Sequence, residues 1–148
     1  MDYQTVSPPD FGISLRGIGL NLLVPDVPAQ AAFLTNVLEM SAHRVSADFA
    51  IMMHGGDLLQ LHADHTYGAH PLSGVLPENP PRGAGAAIYL FHSNPDRAAA
   101  LAEEAGGIIL HAPQNKPHGL REACILCPQG YAWTPSRPLS TAERTALE

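Results

Sequence analysis

The sequence predicts an α+β fold of two tandem β-α-β-β-β modules, and three observations carry that prediction. A short apolar strand runs into a capped, amphipathic helix at Asp26; three brief strand patterns follow; and the same order recurs 68 residues further on.

The first segment, Met1–Leu15, holds Pro8, Pro9 and Gly12 without a sustained period and reads as an N-terminal arm. Ile18–Val24 is short, apolar and stopped by Pro25, the pattern of a largely buried strand. Asp26 then caps a helix that tolerates Pro28 in its first turn and takes its apolar face from Ala31, Ala32, Phe33, Leu34, Val37 and Leu38. Strands are predicted over 42–47, 49–54 and 58–62, the last two joined by a Gly55-Gly56-Asp57 hairpin turn. From Ala63 to Pro81 the chain is rich in His, Pro, Gly and Asn, and a loop of that length inside a compact domain is marked as functional or mobile.

The first unit then returns. Arg82-Gly83-Ala84-Gly85 repeats the form of Arg16-Gly17-Ile18-Gly19, and the same offset carries Leu20–Val24 onto Ile88–His92, the cap Asp26 onto Asn94 and Phe33 onto Leu101. A second helix over 96–105 stops at Gly106-Gly107. Strands over 108–111, 121–126 and 131–134 follow, the last two across a Pro128-Gln129-Gly130 turn. The modules therefore span about 16–62 and 83–136 within a single domain, residues 16–138, with residues 63–82 between them. The tail, 139–148, is expected to form a short helix or to fray.

Composition removes several function classes. With 148 residues, 45% of them hydrophobic and 15% charged, the chain can bury a core of its own and is not a disordered segment. A net charge of -6 leaves no basic surface for a phosphate backbone, so no nucleic-acid partner is expected. No run approaches the ~18 apolar residues of a membrane span, and Met1–Asp10 carries no basic, apolar leader, which makes the cytoplasm the expected compartment. Two cysteines are too few for a disulfide framework.

Eight histidines, as many as Lys and Arg together, direct attention to metal chemistry. His62-x-x-His65, with Asp64 between and His70 beyond, has the composition of a ligand set. Cys124-x-x-Cys127 lacks a second pair, and residues three apart on a strand face opposite ways. There is no nucleophile elbow, phosphate loop or dinucleotide fingerprint, so no catalytic residue is assigned by motif.

Two half-motifs place the chain more closely. The opening Leu22-Leu23-Val24-Pro25-Asp26-Val27, with Ala32-Phe33 and Val37-Leu38, resembles the start of the vicinal oxygen chelate superfamily, the glyoxalase, bleomycin-resistance and extradiol-dioxygenase group. The closing Gly119-Leu120-Arg121-Glu122-Ala123, with Pro128-Gln129-Gly130-Tyr131 and Trp133, resembles its ending, so the likeness covers about residues 18–138. It implies a curled, mostly antiparallel sheet around a cleft, often completed in a homodimer. In metal-using members His, Glu or Gln ligands lie on the first and last strands of each module; on this sequence those positions are Gly19, Gln60, Ala87 and Thr134. Only Gln60 offers an amide donor there.

The resemblance therefore implies a small-molecule binding protein without a cofactor, similar to bleomycin-resistance proteins and taking a neutral or aromatic ligand. Strand alternation extends the family positions to a lining of Asn21, Gln60, His62, Tyr89, Phe91 and Thr134. Arg121 of the closing motif is a candidate partner for a ligand carboxylate, and Lys116 and His118 are rim candidates. The alternative is a lyase or dioxygenase with a divalent metal (Zn, Fe, Mn or Ni) on a site rebuilt from Gln60, His62 and His65.

Overall fold

Two side-chain caps mark equivalent places in the computed structural model, which describes residues 1–77 and 81–148. Asp26 Oδ1 accepts the Ala29 amide at 3.0 Å, and Asn94 Oδ1 accepts the Arg97 amide at 3.0 Å. Each satisfies a first-turn donor that has no partner inside its helix. Around these caps the element order is α1 (Pro8–Ser14), β1 (Asn21–Val24), α2 (Val27–Leu38), β2 (Ser41–His43), β3 (Phe49–His54) and β4 (Asp57–Ala63). After two 3-10 turns, Asp64–Tyr67 and Pro71–Val75, come β5 (Ala87–Leu90), α3 (Pro95–Ala102), β6 (Ile108–Asn115), β7 (Leu120–Leu126), β8 (Ala132–Pro138) and α4 (Thr141–Thr145). Between the arm and the tail the chain is α+β with β-α-β-β-β twice, as the sequence predicts.

The strands form two separate four-stranded sheets, ordered β1-β4-β3-β2 and β5-β8-β7-β6. In each, the first strand lies parallel to the last and the other pairs are antiparallel. The registers match as well: Asn21 faces Gln60 across β1 and β4, and Tyr89 faces Thr134 across β5 and β8. Asn21 and Tyr89 are the 68-residue equivalents, so the repeat read from the sequence is a repeat of strand pairing.

The chain divides into two compact units, Met1–Thr35 with Met40–Leu76 and Asn36–Glu39 with Pro77–Glu148. In the first, one face of the sheet buries Leu22, Val24, Ala50, Met52, Leu59, Leu61 and Ala63. The opposite face carries Asn21, Leu23, Phe49, Ile51, Leu58, Gln60 and His62. Gly55 and Gly56, at φ 57° and 87°, make the two-residue turn between β3 and β4, a left-handed pair that suits the strand twist. In the second unit, Leu90, Ala123, Ile125 and the fully buried Trp133 lie on one face, and α3 contributes Ala98 and Ala102 to that core. Gly130, at φ 95°, leaves room for the Arg82 amide, which a Cβ there would meet at 2.7 Å.

Several boundaries differ from the sequence reading. Helix α1 lies inside the expected arm: Ser7 accepts the Asp10 amide and Pro8-Pro9 fill the first turn, but seven residues are too few to display a helical period. Strand β2 ends at His43, because Arg44 turns left-handed at φ 53° and leads the chain out of the ladder. Strand β6 continues to Asn115 through register shifts on either side of His111. The tail forms α4, closed by a Ser140–Glu143 capping box, and Arg137 grips the Glu143 carboxylate through two bonds of 2.9 Å. Those Arg137 bonds hold the Glu143 carboxyl at about 2. The end of the predicted loop, residues 78–80, lies outside the described residues. Among the described residues no helix is long and apolar enough to cross a membrane.

Candidate functional site

The predicted site residues fall into both units. In the first, β1 and β4 bring Asn21, Gln60 and His62 onto the open face of the sheet. Asn21 Nδ2 donates to the Tyr67 hydroxyl oxygen at 2.8 Å, which leaves Asn21 Oδ1 to accept the Nδ1–H of His62 at 2.6 Å. This chain assigns the Nδ1-protonated tautomer to His62, and Nε2 bonds to no other described residue. Burial lowers the His62 pKa from 6.5, so the neutral imidazole is favoured.

Rings continue the site in both directions. His62 packs against Phe49 at 4.9 Å and Tyr67 at 5.2 Å, Tyr67 against His70 at 4.9 Å, and Phe49 against Phe11 at 6.4 Å. Phe11 in turn meets Tyr3 at 6.2 Å. Sequence reasoning missed Tyr3, Phe11, Phe49 and Tyr67. Of these only Phe49 carried a usable signal, since it lies two residues from Ile51 on a predicted strand.

At the other end of this face lies a pocket of about 810 Å³. Leu58, Gln60, Gly56 and Asp57 form one side, and Tyr3 with Ser14–Leu20 forms the other. A Cβ added at Gly17, Gly19 or Gly56 would meet nothing within 4 Å, so the glycines keep the walls open. The Gln60 carboxamide, the Tyr3 hydroxyl and the Asp57 carboxylate bond to no other described residue. The pocket is of ligand-binding size, with apolar wall and a few uncommitted polar groups.

In the second unit, Tyr89 stands opposite Thr134 and stacks on Phe91, with centroids 5.6 Å apart and planes 26° apart. Both rings are exposed, at 44% and 54%, whereas Thr134 is buried. Arg121 lies on the other face: it faces Arg137 across the ladder, in phase with Ile125 and Trp133 and out of phase with Thr134. Its guanidinium donates to both Asp96 carboxylate oxygens, at 2.8 and 2.7 Å, and to the side-chain Oδ1 of Asn115 at 2.9 Å. The hydrogen bond from Arg121 lowers the Asp96 pKa, and the same pairing raises that of Arg121. Lys116 donates to His111 Nε2 at 3.1 Å, and His118 to Glu122 Oε2 at 3.2 Å.

The residues present do not fit a divalent ion at the family positions. Gly19 and Ala87 supply no side-chain donor atom, and Gln60 and Thr134 offer only a neutral amide and a neutral hydroxyl oxygen. Of the rebuilt set, His62 directs Nδ1 at Asn21, while His65 directs Nε2 at Asp48, 2.6 Å away. Among the described residues no group of three His, Cys, Asp or Glu side chains is placed to hold an ion.

No protein-family model matches the sequence, and no curated protein does. Solved structures do share the fold. A glyoxalase/bleomycin resistance protein/dioxygenase family enzyme from Burkholderia phytofirmans PsJN superposes with a TM-score of 0.68 at 18% identity, over 81% of this chain and 96% of its own. A glyoxalase-related enzyme from Fulvimarina pelagi gives 0.64 at 16% identity, over 86% and 94%. A glyoxalase/bleomycin resistance protein/dioxygenase from Nocardioides gives 0.58 at 20% identity, over 90% and 92%.

Proposed function

We infer that this chain, built on the fold of the glyoxalase, bleomycin-resistance and dioxygenase proteins, is a metal-independent small-molecule binding protein. The ligand is neutral or aromatic and sits in the pocket beside Gln60. The observation that carries this reading is the pocket itself: about 810 Å³, bordered by Gly19 where metal-using members place a ligand, and furnished with the free Gln60 carboxamide and Tyr3 hydroxyl. Leu15, Leu20 and Leu58 provide apolar contact for a ring, while the amide and phenol fix its orientation.

Elemental analysis of the native protein tests the reading. It predicts no stoichiometric divalent ion, a melting temperature indifferent to EDTA, and a rise with a bound aromatic ligand. About one tightly held ion per chain would refute it. If that metal were then lost in His62→Ala or His65→Ala without unfolding, the lyase or dioxygenase alternative would take its place. Exposed Tyr89, Phe91, Ile108 and Leu110 on the second sheet support a homodimer, which sedimentation velocity checks by mass.

A further inference from the structure

The pocket beside Gln60 has two walls of different origin. One is the sheet, through Gly56, Asp57, Leu58 and Gln60; the other is Tyr3 with Ser14–Leu20, all of it preceding β1. The second wall is fastened at two places. Tyr3 meets Phe11 edge-on and leans on the His43 ring at 5.9 Å, and Phe11 meets Phe49 on β3. Just after β2, Arg44 donates its backbone N–H to Gln4 Oε1 at 2.9 Å and its guanidinium Nη1–H to the Val6 carbonyl. Arg44 keeps φ at 53° while it does so, a backbone that a non-glycine residue holds only where its surroundings enforce it. Between these fastenings and β1, the backbone of residues 16–19 bonds to no other described residue, and Ile18 is 98% exposed. The wall is held at its ends and not along its length.

The geometry points to residues 3–20 as a strap that closes over the pocket, with Tyr3 as a ligand-contacting residue and Arg44 as the residue that positions it. This rests on reading the pocket as the ligand site. A molecule in the pocket touches the strap only when the strap is docked, so ligand binding and docking must strengthen each other. The Tyr3 hydroxyl, bonded to no other described residue, is the strap's hydrogen-bonding group for a ligand.

Arg16 folds its guanidinium back onto the Ile13 and Leu15 carbonyls at 2.7 and 2.8 Å, so tryptic cleavage after it requires that segment to open and reports release of the strap. In the full chain, Tyr3→Ala and Arg44→Gly, the latter still at ease with a left-handed backbone, should each raise that cleavage rate about tenfold with far-UV circular dichroism unchanged. Arg44→Lys keeps a donor for the Val6 carbonyl and should stay near the wild-type rate. Indole, a neutral aromatic probe, should slow the wild-type cut, and its affinity by NMR should fall about tenfold in Tyr3→Ala and Arg44→Gly. Unchanged cleavage in both variants, or indole binding equal to wild type in both, overturns the strap and leaves the pocket reading standing. Wild-type protein that takes up no indole beside Gln60 overturns the pocket reading, and the contact role of Tyr3 with it.

Discussion

The open faces of the two sheets come from the same repeat and end in different states. On the first, Tyr3 and Phe11 from the arm and Tyr67 from the loop after β4 lay a continuous row of rings over the strands, and Phe11 is 8% exposed. On the second, Tyr89 and Phe91 stack on each other in solvent. Register makes the strand pairing equivalent, so pairing alone does not decide the outcome. The flanking segments do. A module of this kind buries one face by its own helix-side packing, and whatever precedes or follows it determines whether the other becomes a walled pocket or an exposed apolar surface.

Truncations can break that comparison, and the largest effect belongs to a residue outside it. Trp133→Ala empties the core of the second unit and should cost about 3–5 kcal/mol in urea unfolding. A cost under about 1 kcal/mol would mean that this core is not the source of the unit's stability. The pair Phe11→Ala and Phe91→Ala removes one ring from each open face. The first should cost roughly 2 kcal/mol and the second less than about 0.5 kcal/mol. Equal costs would erase the distinction between the faces. Asn21→Ala strands the Tyr67 hydroxyl and His62 Nδ1 and should cost about 1–2 kcal/mol.

The smallest effect is a pH dependence confined to the first face. Burial depresses the His62 pKa below 6.5, so on acidification the unfolded chain takes up this proton before the folded one does. Stability should therefore decline as pH falls from about 6.5 and level off below the folded pKa, with a shallower decline in His62→Gln. An identical decline in that variant would assign the acid sensitivity to other groups.

Much of the fold was legible because its signals are local. Asp26 and Asn94 lie three residues from the amides they cap, β3 carries its own apolar pattern, and left-handed glycines stand in the β3–β4, β6–β7 and β7–β8 turns. The site was legible only in part. Asn21, Gln60 and His62 share a face by strand alternation, which the sequence displays. Their partners are distant: Tyr67 lies 46 residues from Asn21, and Gln4 lies 40 from Arg44. No periodicity reports pairings of that range. Arg121 shows the same limit in reverse, since Asp96, 25 residues away, holds its guanidinium on the helix side of the sheet.

An amide-resolved NMR titration of the native protein with indole, first without and then with an added divalent metal ion, separates metal-independent binding beside Gln60 from the other readings. Shifts are expected without metal, clustered on Tyr3, Leu20, Leu58 and Gln60. Shifts confined to Tyr89, Phe91 and Thr134, or shifts that begin only when the metal is added, would contradict it.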